Sequence, residues 1–333
     1  MRVAAAVDKF KGTASGKQVA AAVGSACWEL GHDCTELPMA DGGEGTLEAL
    51  GGANRTSVVT GPLGDPVEAE WRMYRGTAVI EMARASGLTL IGGAVNNDAM
   101  AASTIGTGEL IDMALDAGAK KIIVCLGGSA TTDGGYGALR AITSPHRLRG
   151  VKLLVACDVR TRFLEAAEVF GPQKGASPAQ VKLLTGRLQR LAQIYQHDYG
   201  IDVREIEGTG AAGGIAGALV ALGGRLVPGF DLVADELDLH DVIAAADIVI
   251  TGEGYLDEQS FEGKVVGGVQ EMAAAAGKPV GAIVGDAAPE VASRIEHISL
   301  VDDYGNDKAM NEPLWCIERA AATMLQRLTE RRS

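Results

Sequence analysis

The stretch VAAAVDKFKGTASGKQVAAAVGSACWEL, residues 3–30, decides the fold of this chain. It begins with a short apolar run that ends at Asp8, a pattern typical of a strand buried on both faces. Ser15 and Gln18 then have the spacing of a capping box, and apolar residues recur at helical spacing after them. A buried strand that leads into a capped helix predicts a wound α/β fold.

The rest of the chain continues this alternation of strands and helices. Further short apolar strands are predicted at residues 120–126, 151–158, 246–254, 278–286 and 297–303. Between residues 58 and 82, apolar and polar residues alternate after the turn GPLGDP, which predicts an antiparallel hairpin. We therefore predict two α/β domains. The first is a Rossmann- or flavodoxin-like wound domain built from both chain ends, residues 1–62 plus 240–333, and the second is a central mixed-sheet domain, residues 63–239, that contains the hairpin.

Composition and charge narrow the range of functions. The formal net charge of −13 argues against a general affinity for nucleic acid or anionic membranes, because both depend on clustered Lys and Arg. No apolar run approaches the roughly 20 residues that cross a bilayer, and the first residues meet an acid too early for a signal peptide. We therefore expect a cytoplasmic enzyme. The cysteines and histidines show no zinc-site spacing, so no zinc is expected.

Two glycine-rich loops each carry a carboxylate. PMADGGEGT, residues 38–46, contains Asp41 and Glu44, and TTDGGYGAL, residues 131–139, contains Asp133. Glycines let backbone N–H groups approach phosphate oxygens without a Cβ in the way. The acids would repel a bare phosphate, so loops that hold both predict a bridging Mg²⁺ between protein carboxylates and phosphate oxygens.

Other acids follow predicted buried strands. Asp8, Asp158 and Glu253 come at or just past the ends of such strands. In open α/β sheets ligands bind beyond the carboxyl ends of parallel strands, so these acids could converge along one edge. The alternative is that each acid caps a helix N-terminus, where carboxylates are favoured in any case.

Two glycine motifs are weaker signals. GTASGK, residues 12–17, lacks the spacing and the Ser/Thr of a P-loop, and we reject it as one. GTGAAGGIAGAL, residues 208–219, contains a G-x-G-x-x-G between a plausible strand at residues 201–207 and a helix. It is compatible with a dinucleotide site, and the alternative is close helix packing through small residues. Ser129 could be called a nucleophile, but no G-x-S-x-G elbow surrounds it.

Many blocks of this sequence resemble bacterial type-1 glycerate kinases, in the same order along nearly the whole chain. The blocks are DKFKGTAS, PMADGGEGT, EMARASGL, STIGTGELI, LGGSATTDGG, ACDV, VFGPQKGA, GTGAAGGIAGAL, VITGEGYLDEQS and DKAM. The resemblance implies ATP-dependent phosphorylation of D-glycerate, usually at the 2-hydroxyl, with Mg²⁺, on two α/β domains that face a cleft. The implied partners are ATP and a small hydroxy acid, and a homodimer is left open.

We assign candidate roles by combining this resemblance with the chemistry of phosphoryl transfer, which needs positioning and charge neutralisation. The catalytic candidates are Asp8, Lys11, Asp133 and Asp158. The candidates for substrate or phosphate binding are Lys9, Gly42, Gly43, Gly127, Gly128, Ser129, Lys174, Gly210, Gly213, Arg160 and Arg162. The candidates that hold or surround Mg²⁺ are Asp41, Glu44, Glu253 and Asp257.

The sequence also departs from the family pattern in loops expected to touch ligand. After ACDV the family usually continues with an Asp-Asn-Pro-Leu run, whereas this chain reads RTRFLEAAEVFGPQKGA, with Arg160 and Arg162. Three alternatives to a glycerate kinase therefore stay open. They are a kinase for a larger or more acidic hydroxy acid, a non-catalytic ligand-binding or regulatory member of the family, and a nicotinamide-dependent dehydrogenase.

Overall fold

A computed structural model describes residues 1–331 of the chain. The strands are β1 Arg2–Val7, β2 Asp33–Pro38, β3 Arg55–Thr60, β4 Pro66–Tyr74, β5 Thr77–Glu81, β6 Lys121–Cys125, β7 Lys152–Ala156, β8 Arg225–Val227, β9 Ile248–Leu256, β10 Val280–Ala287 and β11 His297–Ser299. The helices are α1 Gly16–Glu29, α2 Thr46–Ala49, α3 Ala83–Ser86, α4 Ile105–Asp116, α5 Tyr136–Ala141, α6 Ala166–Phe170, α7 Pro178–Tyr199, α8 Ile215–Ala221, α9 Gly229–Glu236, α10 Leu239–Ala245, α11 Val265–Ala275, α12 Leu300–Tyr304, α13 Asn306–Asn311 and α14 Pro313–Glu330.

The chain forms two compact units. Unit 1 contains Met1–Asp41, Glu48–Leu50 and the described residues from Gly229 onward, and unit 2 contains Gly42–Leu47 and Gly51–Pro228. These ranges differ from the sequence-based bounds in three places, at residues 42–47, 51–62 and 229–239. Pairing explains the second difference, because β3 pairs with β4 in the sheet of unit 2.

Unit 1 is built on a five-stranded parallel sheet in the order β11-β10-β9-β1-β2. Counted along the chain within the unit, this is the 2-1-3-4-5 order of flavodoxin-like folds. The apolar strands serve two cores. Ile283 of β10 packs in the core that contains α1 and α14, whereas the next residue, Val284, packs in the core that contains Val266 of α11. The continuous apolar runs are thus explained by burial on both faces.

Helix α1 begins where the capping pattern predicts. The Ser15 side chain accepts a hydrogen bond from the backbone N–H of Gln18, and the Gln18 side chain accepts one from the backbone N–H of Ser15 at 2.9 Å. Its stripe of Val19, Val23 and Ala26 is fully buried. The capping box thus sets where α1 begins, and the burial of its apolar stripe sets which face of the helix packs against the core.

Unit 2 is built on a six-stranded mixed sheet in the order β3-β4-β5-β6-β7-β8. The pairs β3–β4 and β4–β5 are antiparallel, as the alternation between residues 58 and 82 predicts, and the remaining pairs are parallel. The prediction of a mixed α/β fold with two sheets is confirmed.

One predicted strand is wrong. Residues 201–207, read as a strand before the G-x-G-x-x-G motif, form turns. The Thr209 hydroxyl lies 2.7 Å from the carbonyl oxygens of both Val203 and Ile206, and this local bonding folds the segment back on itself. A glycine motif without a preceding strand lacks the context of a dinucleotide site.

Within residues 1–331, no helix combines the length and the apolar character that crossing a bilayer needs.

Candidate functional site

In unit 1, the carboxyl ends of β1 and β9 bring two acids together. The strands are neighbours with Val7 opposite Gly252, and the backbone N–H of Asp8 donates to the Gly252 carbonyl oxygen at 2.9 Å. Asp8 is the residue after Val7 and Glu253 is the residue after Gly252, so both acids lie at the same edge of the sheet. In the sheet, β1 lies between β2 and β9, so the strand order reverses direction at β1. Folds of this kind bind ligands at such a point of reversal.

Burial raises the pKa of both acids above the usual value for a carboxyl group. Burial is the largest cause that raises the pKa of Asp8 to about 6, and the charge of Asp41 adds to it while Lys9 opposes it. Burial likewise raises the pKa of Glu253 to about 7, with Asp8 adding to the rise and Lys264 opposing it. The two carboxylates repel each other, so a cation placed between them would stabilise both.

Glu253 also has an unused acceptor. Its Oε1 atom is buried and makes no hydrogen bond within residues 1–331. Buried polar atoms nearly always have a partner, so an orphaned carboxylate oxygen calls for a ligand or an ordered water. Among the acids at this edge, Glu253 is therefore the best candidate for binding a cation.

The other predicted residues of unit 1 surround this pair in different ways. The Lys9 ammonium lies 3.8 Å from Asp8 Oδ1, and the Lys11 side chain is exposed. A Cβ on Gly254 would lie 3.2 Å from the Lys11 backbone nitrogen, so the glycine lets the 9–12 loop approach β9. Asp257 accepts a hydrogen bond from the Ser260 backbone at 3.2 Å and caps the short turn that follows.

Within the part of the chain that the structure describes, no group of three or more His, Cys, Asp or Glu residues is arranged to hold a metal ion. Of the predicted set, Asp41, Glu253 and Asp257 lie in unit 1, and Glu44 lies in unit 2. Mg²⁺ is commonly held by one or two carboxylates together with substrate phosphates and water, so the acids at this edge are of a kind that could take part in such a site.

In unit 2, a residue missed by the sequence analysis organises the first glycine loop. Glu81, the last residue of β5, is 4% exposed, and its Oε1 accepts hydrogen bonds from the backbone N–H groups of Gly45 and Leu47, both at 2.9 Å. Its other oxygen lies 3.3 Å from Arg84 Nε. Glu81 shows the same strand-then-acid signature as Asp8, and that signal could have identified it.

The glycine loops of unit 2 also approach each other. A Cβ on Gly127 would lie 3.3 Å from the Gly43 Cα, tighter than ordinary contact. Gly42 and Gly128 have φ values of 85° and 63°, in the region that favours glycine. These glycines thus allow two backbone segments to meet, a role that is compatible with phosphate binding and does not depend on it.

Lys174 is placed differently from the phosphate-binding role predicted for it. The residue is 3% exposed, and its ammonium donates to Ser129 Oγ at 2.7 Å and to the Thr131 carbonyl oxygen at 2.6 Å. Burial lowers the pKa of Lys174 to about 7, although the nearby Asp133 charge opposes this. Lys174 therefore holds the loop that follows β6 from inside the unit.

Asp133, predicted as a candidate base, is occupied by hydrogen bonds. Its Oδ2 accepts from the backbone N–H and the hydroxyl of Thr104, at 2.9 and 2.8 Å, and from the Gly137 backbone at 3.1 Å. Its Oδ1 accepts from the Gly135 backbone at 3.0 Å. These contacts tie the second Asp-Gly-Gly loop to the start of α4 and indicate a positioning role.

The G-x-G-x-x-G glycines of unit 2 serve packing. A Cβ on Gly213, which has φ +75°, would overlap the Thr131 carbonyl oxygen, and one on Gly210 would overlap that of Arg162. Both atoms belong to protein backbone, so these positions favour the packing alternative over phosphate binding. Asp158, Arg160 and Arg162 are exposed after β7.

The buried ammonium of Lys174 predicts a change of stability with pH. Its folded pKa of about 7 lies below the value of 10.5 for a free lysine, so the folded state loses this proton first and this contribution to the free energy of unfolding increases from about pH 7 upward. Lys174→Met removes the titration. We expect wild type to gain about 2 kcal/mol relative to this variant between pH 7 and pH 9.

Urea unfolding of both proteins at the two pH values measures this difference. Lys182→Met, an exposed lysine on α7, is the control and should leave the pH dependence of wild type unchanged. An equal pH dependence in wild type and Lys174→Met would show that Lys174 titrates normally in the folded protein.

Three comparisons with known proteins show what this chain is similar to. A model of the glycerate kinase family matches residues 3–145 and 143–329. Glycerate 2-kinase of Escherichia coli K12 is 38% identical, over 89% of this chain and 88% of that protein. Glycerate kinase of Halalkalibacterium halodurans is 40% identical, over 86% of each chain. A crystal structure from Salmonella typhimurium LT2, assigned as a glycerate kinase 2, superposes with a TM-score of 0.88 and 34% identity, over 100% of this chain and 99% of that one.

The family model covers almost the full described length, and the two related sequences cover well over two thirds of the chain. The match includes the strand ends that carry Asp8 and Glu253. The chain is therefore a kinase that belongs to the glycerate kinase family.

Proposed function

We propose that the protein transfers the terminal phosphoryl group of ATP to the 2-hydroxyl of D-glycerate, giving 2-phosphoglycerate and ADP. The observation that carries this proposal is the pair of Asp8 and Glu253 at the strand-order reversal of unit 1. One acid of such a pair can accept a proton while the other faces a cation. The names of the related kinases support glycerate as the acceptor.

In the proposed reaction, the oxygen of the substrate hydroxyl bonds to the γ-phosphorus while Asp8 accepts the hydroxyl proton. At the same time the bond between the γ-phosphorus and the leaving oxygen of ADP breaks. A general base works best when its pKa lies near the working pH, and a pKa of about 6 meets that condition. Lys9, beside Asp8, helps to keep the carboxylate ionised.

The proposed cation is Mg²⁺. We infer that Glu253 is its main carboxylate ligand, because Oε1 of Glu253 is buried and has no hydrogen-bond partner within residues 1–331, and that Asp41 contributes charge nearby. When bound, Mg²⁺ neutralises negative charge on the nucleotide phosphates. A cation beside Glu253 would also lower the raised pKa of that side chain and so relieve the repulsion within the pair.

A second acceptor is favoured by one observation. Arg160 and Arg162 are exposed on the loop after β7, where the sequence departs from the family pattern. Guanidinium groups bind carboxylates with paired hydrogen bonds, so this loop would suit a hydroxy acid with an additional carboxylate. The location that we propose for the enzyme is the cytoplasm, where ATP and small hydroxy acids are both present.

A coupled ADP assay with Mg-ATP tests the proposal across a panel of small hydroxy acids that includes both glycerate enantiomers. D-glycerate should give the highest kcat/KM. The ³¹P signal of the product distinguishes the hydroxyls, because a phosphate on C2 couples to one carbon-bound proton and appears as a doublet, whereas one on C3 couples to two. A dicarboxylic hydroxy acid that outperforms D-glycerate would establish the second acceptor, and turnover of none would overturn the proposal.

A further inference from the structure

Unit 2 contains a cavity of about 720 Å³ that none of the roles above uses. It lies beside the start of α4, along α5 and against the middle of α7. Cavities of roughly 300–1,000 Å³ are the usual size for small-molecule sites. Its lining includes three basic side chains, one aromatic ring and two large apolar side chains, which are Arg140, Arg187, Arg190, Tyr136, Ile105 and Leu191.

The cavity is positively charged in a chain with a net charge of −13. Arg140 comes from α5, whereas Arg187 and Arg190 are three residues apart on α7 and so share a face of that helix. Within residues 1–331, none of these three guanidinium groups is paired with a carboxylate. Arg187 donates to the Met100 carbonyl oxygen at 2.8 Å, and Arg140 lies 5.8 Å from the centre of the Tyr136 ring.

Two acids, Glu109 and Asp133, line the cavity beside the three arginines, so the lining keeps a net positive charge. Glu109 accepts hydrogen bonds from Thr60 on both of its oxygens, from the backbone N–H at 2.7 Å and from the hydroxyl at 2.9 Å. Asp133 is bonded on both oxygens to Thr104, Gly135 and Gly137. Both carboxylates are held by neutral donors, and within residues 1–331 neither is ion-paired with the three arginines, which are therefore available to an anion from solution.

Most of the remaining lining is apolar or aromatic. Tyr136 is 41% exposed although it is a large side chain, and Ile105 and Leu191 also line the cavity. A ring exposed beside unpaired guanidinium groups suits a ligand that has a flat body and an anionic end. Arginine binds phosphate oxygens through two parallel hydrogen bonds, which makes a phosphate monoester the best match for that end.

We propose that this cavity binds a small organic phosphate, a phosphate monoester on a flat or apolar body, held by Arg140, Arg187 and Arg190 with Tyr136 against the body. All of the residues that line the site belong to unit 2. Asp133 also lines the cavity, and its hydrogen bonds hold the second Asp-Gly-Gly loop, so binding should stabilise that loop. The proposal is independent of the substrate proposed above.

Calorimetric titration with AMP, a phosphate monoester that carries a flat ring, tests the site. We expect AMP to bind wild type and the affinity to fall at least tenfold in the double variant Arg187→Ala/Arg190→Ala. The variant Arg187→Lys/Arg190→Lys keeps the charge but loses the paired geometry, and its affinity should be intermediate. Lys182→Ala, on the same helix but outside the cavity, should bind AMP like wild type.

A second titration, with 3-phosphoglycerate, distinguishes the two parts of the ligand because this phosphate has no ring. It should bind more weakly than AMP, and Tyr136→Ala should weaken AMP while leaving 3-phosphoglycerate unchanged. The arginines are exposed and the alanine variant loses only the bond from Arg187 to the Met100 carbonyl oxygen, so the variants should stay folded, which thermal unfolding checks. AMP binding that is equal in wild type and in the double alanine variant, or no binding of either phosphate to wild type, would overturn the proposal.

Discussion

Asp8→Asn should lower kcat for phosphoryl transfer by a factor of roughly 10²–10⁴, the range expected when a general base is removed. Asparagine keeps the shape of the side chain and can still accept the 2.7 Å hydrogen bond from the Lys9 backbone. It cannot take up the proton of the substrate hydroxyl. The loss should therefore appear in kcat, with a smaller change in KM, in the coupled ADP assay.

Asp286→Asn is the matched control. Asp286 lies near the end of β10, and its Oδ1 accepts a hydrogen bond from the next backbone N–H at 2.8 Å, as Asp8 does. It lies two strands from β1, because β9 is between them. We expect Asp286→Asn to keep kcat within about threefold of wild type, on the view that a rate change below 1 kcal/mol reflects no lost chemical role. Equal losses in both variants would show that Asp8 has no special role.

Asp8→Asn should also stabilise the protein. The pKa of Asp8 rises from 3.8 to about 6 on folding, so the unfolded state loses its proton first as pH increases, and wild-type stability falls between about pH 4 and pH 6. Asparagine does not titrate. Relative to wild type, Asp8→Asn should therefore gain about 1–3 kcal/mol in free energy of unfolding between pH 4 and pH 8.

An inactive variant that is more stable than the active protein is the result expected when a site stores repulsion for its function. Urea unfolding at pH 4 and pH 8 measures it. If Asp8→Asn lost both activity and stability at pH 8, a structural role for Asp8 would explain the loss of turnover better than a role as base.

The fold could be predicted from the sequence where local patterns decide it. The apolar run before Asp8, the capping box at Ser15 and the alternation in β4 each reflect a short-range periodicity that the tertiary structure preserves. The turns at residues 201–207 could not be predicted in this way. Their alternating pattern resembles a strand, and the Thr209 hydroxyl overrides it.

The site was less predictable, because burial and partner choice are tertiary properties. Lys174 has the sequence context of a phosphate-binding lysine, yet it is enclosed and bonded to Ser129. Glu81 is separated by more than thirty positions along the chain from the loop that it holds. By contrast, the strand-end position of Asp8 is enough to place it at the edge of the sheet, since the carboxyl ends of parallel strands lie together.

Gly213→Ala should reduce the free energy of unfolding of unit 2 by about 3 kcal/mol, from overpacking of roughly 1–3 kcal/mol and a left-handed backbone penalty of roughly 1–2 kcal/mol. The added Cβ would overlap the Thr131 carbonyl oxygen. That oxygen cannot withdraw freely, because it accepts a hydrogen bond from the buried Lys174 ammonium at 2.6 Å. Because Lys174 holds the loop that contains Thr131, this loop cannot move away to relieve the clash.

Gly186→Ala gives the matched control for this substitution. Gly186 lies inside α7, and a Cβ there would meet nothing within 4 Å. Alanine is favoured over glycine in a helix interior by roughly 1 kcal/mol, so this variant should be stabilised. The two Gly-to-Ala changes should therefore shift the urea midpoint in opposite directions. A Gly213→Ala protein as stable as wild type would mean that the 211–214 segment can move away from Thr131, and that Gly213 is required for something other than packing.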